Sequence, residues 1–359
     1  MLQFKKNAKQ QTAKGTSGMK LVEFVPPVPH PLWKLCLQMG ITDVIVKVNP
    51  ELTGLHDPWK LETLKSIVER LAGEGLRVVG LEGDPFDMSP IKEYGVGGYP
   101  THDADESARN ETIAHYCELL DSMGTLGIKL LCYNFMVGKG WSRTGTREGR
   151  GGAAATCFSL SNTANPSSAS LKLNADQVWA NYEHFIKAVL PVAEKNGVRM
   201  GLHPDDPCLA SLGGFARIFG SVEAYDRAYA LYPSPSNAVT FCQANFKLMD
   251  SFKDSMPDPT QRLSEMIRHF GKRIAFVHVR DVEGSKEDFT ELFHDQGDTN
   301  QFTLMKTYNE LKINVFMRGD HVPEMAYDRI LTPDGTPGYF TLGRLFANGY
   351  LKALLNGCA

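Results

Sequence analysis

Several things are scarce in this sequence, and each scarcity narrows what the chain can be. No apolar run approaches the ~20 residues that a membrane-spanning helix needs. The seven cysteines are scattered and no CxxC occurs, which fits reduced thiols in a cytoplasmic enzyme better than a disulfide framework. Neither sign of charge dominates: 38 basic residues stand against 41 acidic ones, a net of −3, so nothing argues for nucleic acid or an anionic membrane as a partner. No GxGxxG follows the first apolar run. Gly149-Arg150-Gly151-Gly152 precedes no Lys-Ser/Thr pair and opens no helix, so it is not a phosphate loop. The opening stretch has no acidic residue, no arginine and no apolar core of a secretory signal. Residues 1–19 are therefore expected to be a disordered basic tail, and residues 20–359 a single domain.

What is present is an alternation. Short apolar runs at 21–25, 43–48, 76–81, 129–135, 198–202, 239–242, 274–278 and 315–320 read as strands, and each is followed by a helical pattern. Between 59 and 74, for example, Leu61, Leu64, Ile67, Val68 and Leu71 share one helical face, and Gly75 is a stop signal. The strands show little polar alternation, as strands buried on both faces should. Eight such units predict an α/β fold of the (β/α)8 TIM barrel type, which runs ~200 to over 400 residues as one domain. A doubly wound open sheet is the alternative. It is disfavoured because functional-looking residues end at least five strands rather than one or two. The irregular stretch 137–174, after the fourth strand, is expected to be a long loop serving as a lid.

The chemistry gathers at strand ends. His203-Pro204-Asp205-Asp206-Pro207 closes the fifth strand, where two prolines stop the ladder and stiffen the turn. Cys242, His278 and Asp320 close the sixth, seventh and eighth. Singly, each has an ordinary structural explanation; a lone buried Cys is usually a small core residue. Together, at the one mouth where barrel strand ends converge, they offer two imidazoles, a thiolate and a carboxylate to a divalent metal. Imidazole and thiolate suit Zn²⁺ or Fe²⁺, and the carboxylate admits Mn²⁺. Arg143, Arg280 and Arg318 present planar forks for a substrate carboxylate or hydroxyls, with pairing to Asp205, Asp206 or Asp281 as their structural alternative. Asn134, Glu82 and Asp84, also at strand ends, are further candidates for sugar hydroxyls.

In their order along the chain, His203-Pro204-Asp205-Asp206-Pro207, Cys242, His278-Val279-Arg280, Arg318-Gly319-Asp320-His321 and Gly338-Tyr339 resemble the mannonate dehydratases. Cys132-Tyr133-Asn134-Phe135-Met136 and Trp141-Ser142-Arg143-Thr144 are similar to that family's fourth strand end and following loop. The resemblance spans nearly all of the chain after the basic tail. It implies a barrel of the xylose-isomerase type and a Mn²⁺ or Fe²⁺ site at His203, Cys242, His278 and Asp320. It also implies dehydration of D-mannonate, or a related aldonate, to 2-dehydro-3-deoxy-D-gluconate in hexuronate catabolism. His321 and Tyr339 fall on positions that handle protons, and Asp205 and Asp206 are set to orient imidazole or arginine partners. The chain departs from the family pattern at Cys208, Ala244-Asn245, Gly319 and Val322.

The implied chemistry suits the residues. The proton α to a carboxylate is weakly acidic, so a metal gripping carboxylate and hydroxyl must stabilise the enediolate, with a base at the α-carbon and an acid at the leaving oxygen. Two rivals remain at this point: a metal-dependent sugar isomerase or epimerase on the same barrel, and a sugar-acid-binding protein without catalysis. The expected partner is a small sugar acid, the expected location cytoplasmic, and a homo-oligomer stays open.

Overall fold

The computed structural model describes residues 18–96, 106–163, 171–333 and 335–358, so the expected basic tail up to residue 17 lies outside the described residues, as do residues 164–170 of the expected lid. Met19 is already buried in the core, one residue before the expected start of the domain.

The barrel strands are β1 (Lys20–Leu21, continued as Glu23–Val25), β2 (Asp43–Val46), β3 (Arg77–Glu82), β4 (Leu130–Tyr133), β5 (Arg199–Leu202), β6 (Asn237–Cys242), β7 (Ile274–Val279) and β8 (Phe316–Gly319). Every neighbouring pair is parallel. The first half of β1 pairs with β8 and the second half with β2, which closes the ring. The Val22 amide still donates to the Met317 carbonyl across this break. Val22, Ile45, Val79, Leu130, Ala238 and Phe276 fill the lumen, as expected of a packed rather than hollow barrel. Gly80 and Gly201 make room there: a Cβ on Gly80 would sit 2.8 Å from the Ile45 side chain, and one on Gly201 2.6 Å from Thr240.

The larger core lies between strands and helices. Helix Leu61–Gly73 buries Leu64, Ile67 and Leu71. Helix Ala175–Asn196 begins with a reciprocal cap between Asn174 and Gln177 and ends at Gly197, whose positive φ of 60° suits glycine. The outer helices fall within a few residues of their expected positions. The short helices Pro50–Thr53, Ser89–Lys92, Gln243–Leu248 and Asp328–Leu331 have no counterpart in the sequence reading. Among the described residues no helix is long and apolar enough to cross a membrane.

The stretch after β4 differs from expectation. Its described part is not an irregular loop. Gly145–Glu148 and Ala154–Ser159 form an antiparallel hairpin turned by Arg150–Gly152. Ala154–Ser159 then pairs with Asp288–Glu291, which pairs with Val282–Gly284, giving a four-stranded sheet. The partner strands lie about 130 residues further along the chain, so no local pattern announces them. Phe158 stacks on Phe289 at 5.8 Å inside a small core with Leu212, Leu248 and Val282.

Candidate active site and metal centre

Strand register sets the site. Cys242 on β6 pairs with His278 on β7, and His278 pairs with Arg318 on β8, so the three stand in one row at the C-terminal rim. His203 and Asp320 follow immediately after β5 and β8, each held by one more ladder bond: the His203 amide donates to Tyr133 at 2.7 Å and the Asp320 amide to Val279 at 2.9 Å. One ligand atom from each of His203, Cys242, His278 and Asp320 lies within 4.8 Å of all the others.

The state of these donors fits a divalent cation. His203 Nδ1 lies 2.8 Å from the Pro204 carbonyl oxygen, which fixes the proton on Nδ1 and leaves Nε2 as a lone-pair donor. Burial pushes His203 below the usual imidazole range, toward the neutral ring that a metal requires. Both ring nitrogens of His278 are buried without a hydrogen-bond partner, an arrangement that costs free energy unless something else satisfies them. Burial alone would raise Asp320, but His321, Arg318, His278 and Arg280 hold its carboxyl well below the usual range.

A second donor group, Glu82, Cys132 and His278, shares His278 with the first. Glu82 is already paired with Arg318 at 2.5 Å, and burial followed by the Glu82 charge pushes the Cys132 thiol well up. The first group is the one that brings four donors together, including both unpartnered nitrogens of His278.

Around it lies a buried charge network. Arg143 binds Asp206 at 2.6 and 3.0 Å and Glu291 through Nε at 2.9 Å. Arg280 binds Asp206 at 2.6 Å, Glu291 at 2.8 Å and Asn245, and its Nε lies 2.8 Å from Asp320 Oδ2. Arg318 joins Glu82 to Asp320, the latter at 2.8 Å. Burial opposes ionisation of Glu82 and Asp206. The charge of Arg318 beside Glu82, and those of Arg143 and Arg280 beside Asp206, outweigh it and hold each carboxyl near about 2. Four carboxylates (Glu82, half-buried, with the buried Asp206, Glu291 and Asp320) thus face three guanidiniums, leaving one negative charge. A divalent cation together with a Cys242 thiolate brings that balance to zero, which is what a buried site needs.

The arginines expected to grip substrate are thereby distinguished. Arg318 and Asn134 line the cavity at the mouth, of about 110 Å³, with Glu82, His203, His278, Asp320, His321 and Tyr339. Arg143 and Arg280 stand behind it, engaged with carboxylates. Asn134 Oδ1 accepts from Lys92 at 3.0 Å and from the Met136 amide at 3.1 Å, which orients its amide group. Lys92 in turn holds Asp84 at 2.7 Å. Asp206 ties the two arginines together. Asp205 faces elsewhere: it accepts from the Phe219 amide at 2.7 Å and lies 3.5 Å from Arg217, so it braces the loop after β5.

His321 and Tyr339 meet. His321 Nε2 lies 2.9 Å from the Tyr339 hydroxyl and Nδ1 lies 2.8 Å from Glu291 Oε1. With Nδ1–H donating to Glu291, Nε2 carries the lone pair toward Tyr339. Burial, then the Asp320 charge, push the Tyr339 phenol far above its usual range, so it holds its proton. Trp141 covers both rings, 5.0 Å from His321. Glu291 escaped the sequence reading. Its other oxygen accepts from Thr156 at 2.8 Å on the hairpin, and no local motif marks either residue.

Comparison with known proteins fits this arrangement. The family described as D-mannonate dehydratase (UxuA) matches residues 38–172 and 168–358. Mannonate dehydratase 2 of Halalkalibacterium halodurans is 26% identical over 95% of the chain and 96% of that protein. The crystal structure of mannonate dehydratase from Streptococcus suis serotype2 superposes with a TM-score of 0.77 at 26% identity, covering 95% of each chain. A D-tagatose 3-epimerase-like protein, at a TM-score of 0.56 and 11% identity over 95% of this chain and 98% of that one, shares the fold alone.

Proposed function

The chain belongs to the D-mannonate dehydratase family, and from that premise we propose that it removes water from D-mannonate to give 2-dehydro-3-deoxy-D-gluconate. The observation that carries the reading is the meeting, at one barrel mouth, of a four-donor metal set with a Glu291–His321–Tyr339 hydrogen-bonded chain. His203, Cys242, His278 and Asp320 are the residues that would hold Mn²⁺ or Fe²⁺. When bound, that ion supplies Lewis-acid stabilisation to the negative charge that gathers on the substrate carboxylate.

The protein's own groups move the protons. His321 Nε2 takes the proton from C2 as base, with Glu291 fixing the ring and stabilising its charged form. The C2–H electron pair becomes the C2–C3 double bond, the C3–O bond breaks, and the hydroxyl leaves as water with the proton of Tyr339. His321 then returns its proton to Tyr339 across their shared hydrogen bond, restoring both. The enol released becomes the 2-keto acid by taking a proton at C3. Arg318 and Asn134 face the substrate, while Arg143, Arg280 and Asp206 keep the catalytic groups in place. The hairpin sheet carrying Thr156 and Glu291 acts as the cover of the site. The same reading makes the described chain one catalytic barrel domain of a cytoplasmic enzyme in hexuronate breakdown.

Metal-reconstituted protein incubated with D-mannonate, other aldonates and aldoses tests the reading. A 2-keto-3-deoxy acid from D-mannonate is expected. Absence of such a product from every aldonate would overturn it, and conversion of an aldose to a ketose would replace it with an isomerase.

A further inference from the structure

A second cavity adjoins the reaction cavity. It measures about 490 Å³ and opens between the ends of β1 and β2 and the loop before Tyr339. Tyr339 lines both cavities. Phe24 stands 6.0 Å from the Tyr339 ring and forms the rest of the partition from the second side. The reaction cavity alone, at about 110 Å³, is well below the ~300–1,000 Å³ usual for a small-molecule site. With its carboxylate at the metal donors, a six-carbon acid would find further room for its far carbons in the cavity that shares Tyr339.

That space has a particular charge. Its described lining includes Lys47, His30, Thr332, Thr336 and apolar residues, but no carboxylate. Its remaining cation, Arg344, is already committed to Glu23 at 3.1 Å. Lys47, half-buried just beyond β2, has no ion pair or hydrogen bond among the described residues. Its stem lies against Gly83, which lines the reaction cavity: a Cβ there would come 3.3 Å from Lys47 Cε. The glycine, with φ of +85°, thus leaves the lysine a place at the boundary of the two cavities. The guanidiniums at and behind the reaction cavity, by contrast, are all paired with carboxylates.

We propose that this cavity is the distal subsite of the active site and that Lys47 selects sugar acids bearing a second anion, a carboxylate or a phosphate, at the far carbon. The proposal rests on the dehydratase reading for its anchor point and adds the substrate's other end. A charge-assisted hydrogen bond at a half-exposed site predicts about tenfold selectivity.

The test compares kcat/KM for D-mannonate, D-mannarate and D-mannonate 6-phosphate in the wild type and in Lys47→Met and Lys47→Arg, with calorimetric binding of the same compounds beside it. Wild type should favour a distal anion about tenfold, Lys47→Met should lose that ratio, and Lys47→Arg should keep it. Preference for the dicarboxylate alone or the phosphate alone supports the proposal and identifies the anion. No preference in wild type, or an unchanged ratio in Lys47→Met, overturns it. If D-mannonate is not turned over but the distal-anion compounds bind in a Lys47-dependent way, the reaction assigned above fails while the subsite stands.

Discussion

In the proposed mechanism Glu291 is the residue on which the proton transfers depend. It holds His321 Nδ1 at 2.8 Å and is itself fixed by Arg143, Arg280 and Thr156. A Gln at this position can donate to Nδ1 instead and present the wrong tautomer. Glu291→Gln should lower kcat by about a hundredfold or more, with KM little changed and metal content near wild type. Tyr339→Phe removes the proposed proton donor but none of the candidate metal donors. Turnover should fall below about 1% of wild type at normal metal content, measured by elemental analysis beside the assay. Loss of metal in that variant would mean a structural role instead. His294 gives a prediction of another kind. Burial lowers it from 6.5 to about 4, so the fold keeps the neutral ring. The unfolded chain takes up its proton first as pH falls. The stability that His294 contributes is therefore complete above about pH 6.5 and is lost on descending toward about 4, of order 2–3 kcal/mol. Denaturant titrations at pH 7 and pH 5 should show this slope in the wild type, and His294→Gln should flatten it.

The four-stranded sheet is the element that links fold to chemistry, because Asp288–Glu291 carries Glu291 and the hairpin carries Thr156. Phe289 anchors it, buried against Phe158 and under the Arg143 guanidinium at 4.9 Å. Phe289→Ala should cost about 3 kcal/mol of stability and also lower kcat at temperatures where the protein remains folded. A loss of stability with unchanged kcat would show that the sheet does not position the site. This element also marks where the sequence stops being legible. The barrel strands could be read because each is a short apolar run ended by Gly, Pro or a donor residue, and the convergence of His203, Cys242, His278 and Asp320 because they end consecutive strands. The sheet could not, since its two halves come from loops after β4 and β7 and neither has a pattern without the other. The arginines fell between: their forks were evident, but only the packed structure shows Arg143 and Arg280 spent on Asp206 and Glu291 while Arg318 faces the cavity.

At the scale of the whole molecule, closure of the barrel does what no single segment can. It brings donors from residues 203, 242, 278 and 320 within 4.8 Å of one another and leaves one net negative charge for a cation to balance. Chelation should abolish turnover, lower Tm through loss of a ligand that binds only the folded state, and be reversed by Mn²⁺ or Fe²⁺. Cys242→Ser should weaken metal binding by more than the about 10- to 100-fold typical of an outer partner, because a hydroxyl is a poorer donor than a thiolate. The most direct measurement follows D-mannonate by proton NMR in D₂O with the metal-loaded protein. The mechanism predicts 2-dehydro-3-deoxy-D-gluconate carrying one deuterium at C3, since the C2 proton passes to His321 and Tyr339 and the enol is protonated from solvent. Recovery of unchanged D-mannonate, or of an epimer deuterated at C2 without loss of the C3 hydroxyl, would contradict it.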